Sequence, residues 1–116
     1  MVRATAFLII LLASLNVAHA GRVQLSPGEV RGIFIGTPWH SPDGSFLFRD
    51  TGTYSYFSFY QNREWGTWPY RMFEDGTLAG GSTHYRFYRD GDKYSVFHAR
   101  SGRFYPAYPN RTYGQK

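Results

Sequence analysis

Thr53-Tyr54-Ser55-Tyr56-Phe57-Ser58-Phe59-Tyr60 is the stretch that decides the fold. Successive side chains of a strand point to opposite faces. Tyr54, Tyr56, Ser58 and Tyr60 therefore share one side, and Ser55, Phe57 and Phe59 the other. Aromatic residues suit a pleated, half-buried surface, and an antiparallel sheet commonly buries one face and wets the other. With the Phe face taken as core, Tyr54, Tyr56 and Tyr60 make an exposed aromatic row. Such a row suits stacking on sugar rings or on another protein's surface. The plainer reading is amphipathic strand surface, with rings covering neighbours and hydroxyls in water.

Outward from this stretch, further strand-like runs occupy residues 30–35, 45–49, 70–73, 83–89, 93–100 and 103–105, in addition to 53–60 itself. Asp43-Gly44, Asp75-Gly76, Asp90-Gly91 and Ser101-Gly102 punctuate them. Gly, and often Asp, tolerate the positive φ that tight hairpin turns need. No segment beyond residue 20 keeps a helical period for more than a turn, and Gly and Pro recur throughout. The expected class is all-β: a small antiparallel meander of about seven short strands, closed as a barrel or folded as a sandwich. Residues 106–116 are polar and Pro-bearing and read as an irregular tail. Phe48-Arg49-Asp50, Tyr54-Ser55 and Phe57 are echoed forty residues on by Tyr88-Arg89-Asp90, Tyr94-Ser95 and Phe97. A duplicated two-hairpin unit would produce that echo, and so would convergence among aromatic hairpins.

The first twenty residues read differently. Arg3 supplies a positive charge, residues 7–15 form an apolar run, and Ala18-His19-Ala20 is a small-x-small cleavage site before Gly21. These are the parts of a secretory signal peptide, and the run is shorter than the roughly 20 residues a membrane span needs. Residues 21–116 are thus expected to be one exported β domain, periplasmic or secreted after cleavage following Ala20, with no membrane span. Export and the lack of any Lys or Arg run make nucleic acid an unsuitable partner. Losing Arg3 lowers the net charge from +5 to +4, which is compatible with anionic envelope glycans or with ordinary solubility.

The chain has no cysteine, so thiolate metal sites, thiol redox chemistry and cysteine nucleophiles are excluded. An exported domain this small often relies on disulfides; this one must rely on its core. Beyond residue 20 the core material is 9 Phe, 10 Tyr and 3 Trp against 8 Val, Leu and Ile together. Trp39, Trp65 and Trp68 read as core before they read as ligand platforms.

Few residues suggest catalysis. Glu74 and Asp75 are turn neighbours, and Glu64 is the one acid in an aromatic setting, beside Trp65 and Trp68. Burial there would raise its pKa, and an enzyme acting on glycans would need it with a second carboxylate. His40, His84 and His98 lack the close His-x-His pairing common in zinc sites on strands. Ser101 lacks a nucleophile-elbow pattern, and Asp90-Gly91-Asp92 falls short of a calcium loop. No catalytic residue, metal or cofactor is expected. Asn110-Arg111-Thr112 satisfies the N-glycosylation sequon, which matters only in a eukaryotic secretory route.

Taken in order, Phe34-Ile35-Gly36-Thr37-Pro38-Trp39, Asp43-Gly44 with Phe48, Asp50-Thr51-Gly52-Thr53-Tyr54, Gly66-Thr67-Trp68, Asp75-Gly76-Thr77-Leu78 and Phe97-His98-Ala99-Arg100 with Gly102 and Tyr105 resemble domain-of-unknown-function family 995, small exported bacterial proteins. Members carry cysteines at places corresponding to about Leu78 and Val96, which this chain lacks. The resemblance implies an exported β domain and carries no assigned activity. Ser101-Gly102-Arg103-Phe104-Tyr105 also resembles the Ser-Gly-x-x-Tyr loop of periplasmic lysozyme inhibitors. Residues 108–114 are similar to their second motif, with Tyr113 where a Lys is expected. The spacing between the two motifs is shorter here, and the closing strand is missing.

The expectation is an exported, non-catalytic binding protein. Its ligand would be an envelope or extracellular glycan, or another exported protein, held by Tyr54, Tyr56 and Tyr60. The alternative is a periplasmic inhibitor of a lysozyme-like hydrolase, presenting Ser101, Gly102 and Tyr105.

Overall fold

A computed structural model describes residues 21–116; the signal peptide expected in residues 1–20 lies outside the described residues. Ten elements follow in order: β1 (Val23–Gln24), α1 (Pro27–Phe34), β2 (Trp39–Ser41), β3 (Gly44–Phe48), β4 (Thr53–Ser58), β5 (Arg63–Met72), β6 (Leu78–Gly80), β7 (Thr83–Asp90), β8 (Lys93–His98) and β9 (Arg103–Ala107). From β2 to β9 each strand pairs antiparallel with the next. Just past β9, His40 and Tyr108 exchange both backbone hydrogen bonds at 2.8 Å. The meander thereby curls into a nearly closed barrel, which leaves little open sheet edge. β6 covers β7 only as far as Tyr85, and β1 takes the uncovered stretch at Tyr88 and Arg89.

The all-β expectation is met, with nine strands rather than about seven. One expected strand is corrected: residues 30–35 belong mostly to α1. Ser26 caps that helix, its Oγ accepting from Glu29 N (3.2 Å) while Ser26 N donates to Glu29 Oε1 (3.0 Å). Pro27 opens the first turn with its φ already helical. This reciprocal capping box satisfies amide donors that a helix start leaves unpaired. It outweighs the β-branched run behind it, because Val30 and Phe34, four apart, then bury on one face. The Glu29 carboxylate is held below its ordinary pKa chiefly by these Ser26 bonds. It also reaches Arg89 of β7 at 2.9 Å.

α1 closes one barrel end. Phe34 stacks on Phe87 (centroids 4.3 Å) and meets Trp39 edge-on (5.6 Å). Val30 and Phe34 are fully buried there, with Leu25 and Leu78 in the same cluster.

The burial expected for β4 is reversed. Tyr54 is 3% exposed and faces the barrel interior with Tyr56, whereas Phe57 lies outside. Tyr54 stacks flat on Phe48 (4.6 Å, 5°). Gly80 makes room for it: a Cβ there would lie 2.5 Å from the Tyr54 ring. Tyr60 falls beyond β4, 93% exposed, so the three tyrosines do not form one row. Residues 108–116 cover the outer face. Gly114 N donates to Ser45 Oγ (3.1 Å), His40 Nε2 to Thr112 O (3.0 Å) and Tyr113 Oη to Glu64 Oε2 (2.7 Å). The tail accounts for Ser45 and Ser55 being buried although they face outward. Its first residues, Pro106 and Ala107, complete β9 rather than joining the irregular segment.

The forty-residue echo falls on unlike hairpins. Phe48 pairs with Tyr54, whereas Arg89 pairs with Tyr94 and Tyr88 with Ser95.

Candidate functional site

The other barrel end carries the β2–β3, β4–β5, β6–β7 and β8–β9 turns and is open. Beneath its mouth lies a cavity of about 320 Å³, near the lower end of the range of ligand pockets. Trp39 and Phe46, stacked 4.2 Å apart, form the wall from β2 and β3. Tyr54 and Trp68, with ring centroids 5.3 Å apart, form that from β4 and β5. Tyr85 of β7 meets Phe46 edge-on at 5.8 Å, and Tyr105 of β9 completes the lining beside His98.

A bulge in β5 positions Trp68. Tyr54 pairs with Trp68 but Tyr56 pairs with Trp65, so β5 carries one extra residue. Gly66 absorbs it at φ +91°, a conformation that strongly favours glycine. Trp65 is thereby separated from Trp68: its indole donates to Gln61 Oε1 (3.2 Å), and Arg63 lies 4.1 Å over its ring. Trp39 is fully buried, and its Nε1–H has no protein partner among the described residues.

Polar groups gather near the mouth. Tyr56 Oη donates to Asp43 O (3.3 Å), and Ser41 and His98 line the wall. The Tyr54, Tyr56 and Tyr85 phenols are all raised above their ordinary pKa, chiefly by burial. For Tyr85 the neighbouring Tyr54 and Tyr56 hydroxyls add to the effect. These phenols are neutral at ordinary pH. The His98 imidazole is lowered by burial and then by the Arg100 charge, which also favours its neutral form. Ser101 N donates to His98 Nδ1 (3.3 Å), placing the neutral ring's proton on Nε2. Arg100 itself reaches Ser82 Oγ in the β6–β7 turn (3.0 Å) and does not line the cavity.

The remaining sequence-derived candidates scatter. Ser101 and Gly102 are exposed in the β8–β9 turn. Ser101 Oγ lies 2.9 Å from His98 Nδ1, a local contact three residues back along the chain. Tyr105 Oη reaches Ser101 Oγ at 3.4 Å while its ring lines the cavity. Glu64 sits on the outer wall under Tyr113, not in the cavity. Among the described residues no group of three or more His, Asp or Glu is placed to hold a metal ion. No helix among them is long and apolar enough to cross a membrane.

Sequence reasoning found Tyr54 and Tyr56 but missed the cavity they line, along with Trp39, Phe46, Trp68, Tyr85 and His98. The alternation of Tyr85 with Phe87 and of Trp39 with Ser41 was the available signal for inward positions. Comparison with protein-family models, with curated proteins and with solved structures finds no match for this chain.

Proposed function

We propose that this chain is an exported, non-catalytic binding protein whose ligand site is the open end of the barrel. The carrying observation is the 320 Å³ cavity, walled by aromatic rings, open at one end and backed at the other by α1. Concave, mostly apolar sites with a few convergent polar groups are where small ligands bind. A small molecule, or a single terminal group of a larger one, fits this volume. Export is supported by the charged start, apolar run and Ala18-His19-Ala20 ending of residues 1–20. The resemblance to domain-of-unknown-function family 995 agrees with an exported β domain and assigns no ligand.

A second reading, glycan or exported-protein binding across a sheet face, is favoured by the outer wall of β7 to β9. Phe104 lies between Tyr88 (5.3 Å) and Phe97 (5.0 Å), and is 41% exposed. Arg22 covers Phe104 at 4.0 Å, and Arg86 lies 5.3 Å from Phe97. Rings and guanidinium groups together suit an acidic saccharide. The inhibitor alternative draws support from the exposure of Ser101 and Gly102, while the third residue of that motif, Tyr105, turns its ring inward.

A thermal-shift and tryptophan-fluorescence screen of small aromatic, cationic and anionic compounds and of short acidic glycans separates these readings. Ser41→Phe, which puts a ring into the mouth, should abolish any response that depends on the cavity. Phe104→Ala should abolish one that depends on the outer wall. A response lost only in Phe104→Ala overturns the cavity reading. Lysozyme inhibition that disappears in Ser101→Ala would establish the alternative.

A further inference from the structure

We propose that the cavity selects an organic cation, most suitably a methylated ammonium head group. This rests on the cavity being the ligand site. The inference comes from the charge and shape of the lining. Among the described lining residues Asp43 is the one formal charge, and neither lysine nor arginine is present. A carboxylate or phosphate ligand would find no cation to meet it, and the Tyr54, Tyr56 and Tyr85 phenols of the lining are neutral.

A cation meets the reverse situation. The π faces of Trp, Tyr and Phe attract a positive charge within about 6 Å, and Trp does so best. Phe46, Tyr56 and Trp68 are half-buried rings of the lining; Phe46 and Tyr56 are tilted at 45°, and Tyr85 crosses Phe46 at 70°. Rings at different angles enclose a roughly spherical group rather than sandwiching a flat one. A methylated ammonium is that shape. It has no strong N–H donors to satisfy and is more weakly hydrated than a primary amine, so it loses less on leaving water. Asp43, beside the Tyr56 hydroxyl at the mouth, adds a full negative charge. The net charge of +4 opposes a cation at long range, but its sources lie outside the lining. Salt screens exposed charges beyond roughly 10 Å at 0.1 M, while contacts inside the cavity are screened less.

Choline and its uncharged carbon isostere, 3,3-dimethylbutan-1-ol, have nearly the same shape and differ in charge. Both are titrated against the protein by tryptophan fluorescence and calorimetry, with 3,3-dimethylbutanoate as the anionic counterpart. Choline should bind at least about tenfold more tightly than the alcohol, consistent with the strength of desolvated cation–π contacts. Asp43→Asn, in an exposed turn, should keep the native circular dichroism spectrum and narrow that ratio. Trp68→Leu should narrow it further. Equal binding of choline and the alcohol, or tighter binding of the butanoate, overturns the cation proposal and leaves the cavity reading standing. If none of the three binds while other compounds do so at the mouth, the cation proposal alone falls. If nothing binds there, both fall.

Discussion

The two ends of the barrel are built from the same meander and filled in opposite ways. At the closed end α1 drives Phe34 between Phe87 and Trp39, and Val30, Leu25 and Leu78 are buried in the same cluster. At the open end the inward positions keep bulky rings but add Ser41, Asp43, His98 and tyrosine hydroxyls. A barrel this small could have been filled throughout by side chains. Apolar burial at one end holds the fold, and under the proposed function the polar groups at the other end are there to meet a ligand.

The strongest way to break this contrast is at the plug. Phe34→Ala should destabilise the protein by about 3–5 kcal/mol, because it empties a fully enclosed site. Asp43→Asn at the rim should stay within about 0.5 kcal/mol of wild type. Urea denaturation of both variants measures the difference. Similar losses would show that the two ends are not divided between stability and recognition.

Inside against outside gives the next test. Tyr54→Ala should cost about 3 kcal/mol, since its ring is buried and stacked on Phe48. Phe57→Ala should cost clearly less, because that ring lies on the outer face under Tyr113 and Gly114. Ranking the two by denaturation midpoint checks this. A larger loss for Phe57 would restore the opposite assignment of faces.

That assignment shows where reading residues in order succeeds and where it stops. Turn chemistry at Asp90-Gly91 and Ser101-Gly102, together with alternation on either side, made the hairpins of β7–β8 and β8–β9 legible. Alternation fixes the period of a strand but not which side is buried when both sides carry rings, as in β4. The side is decided by partners distant in sequence: Gly80, which vacates space for Tyr54, and the tail, which covers Phe57. Short strands such as β2 and β6 owe their existence to neighbours on both sides and have little signature of their own. α1 was legible in principle, since Ser26-Pro27-Gly28-Glu29 is a capping-box sequence, but the β-branched residues behind it pulled the reading toward a strand. The cavity was not legible, because it is a property of closure and no local run of residues encodes it.

The cap offers a smaller and cleaner effect. Ser26→Ala should cost about 1 kcal/mol by removing the acceptor for Glu29 N. The effect belongs to the closed end, so choline affinity should be unchanged while the thermal midpoint falls. A variant that lost binding along with stability would tie the two ends together.

The smallest effect belongs to the mouth and is read through pH. Burial, and then the Arg100 charge, lower the His98 pKa in the folded protein. Above about pH 6.5, the ordinary value for histidine, the ring is neutral in both folded and unfolded chains and contributes nothing to pH dependence. As pH falls through that value the unfolded chain takes up the proton first, so stability declines until the folded ring is protonated too. Wild type should therefore lose stability between pH 7.5 and pH 5, and His98→Gln should lose less over that interval. His40 and His84 remain in both proteins and cancel in the comparison. The Glu29 and Asp75 carboxylates, held low chiefly by the Ser26 and Thr77 backbone amides, titrate below this window. Parallel urea melts at the two pH values decide the matter, and identical slopes for wild type and His98→Gln would mean that the ring at the mouth is as well solvated folded as unfolded.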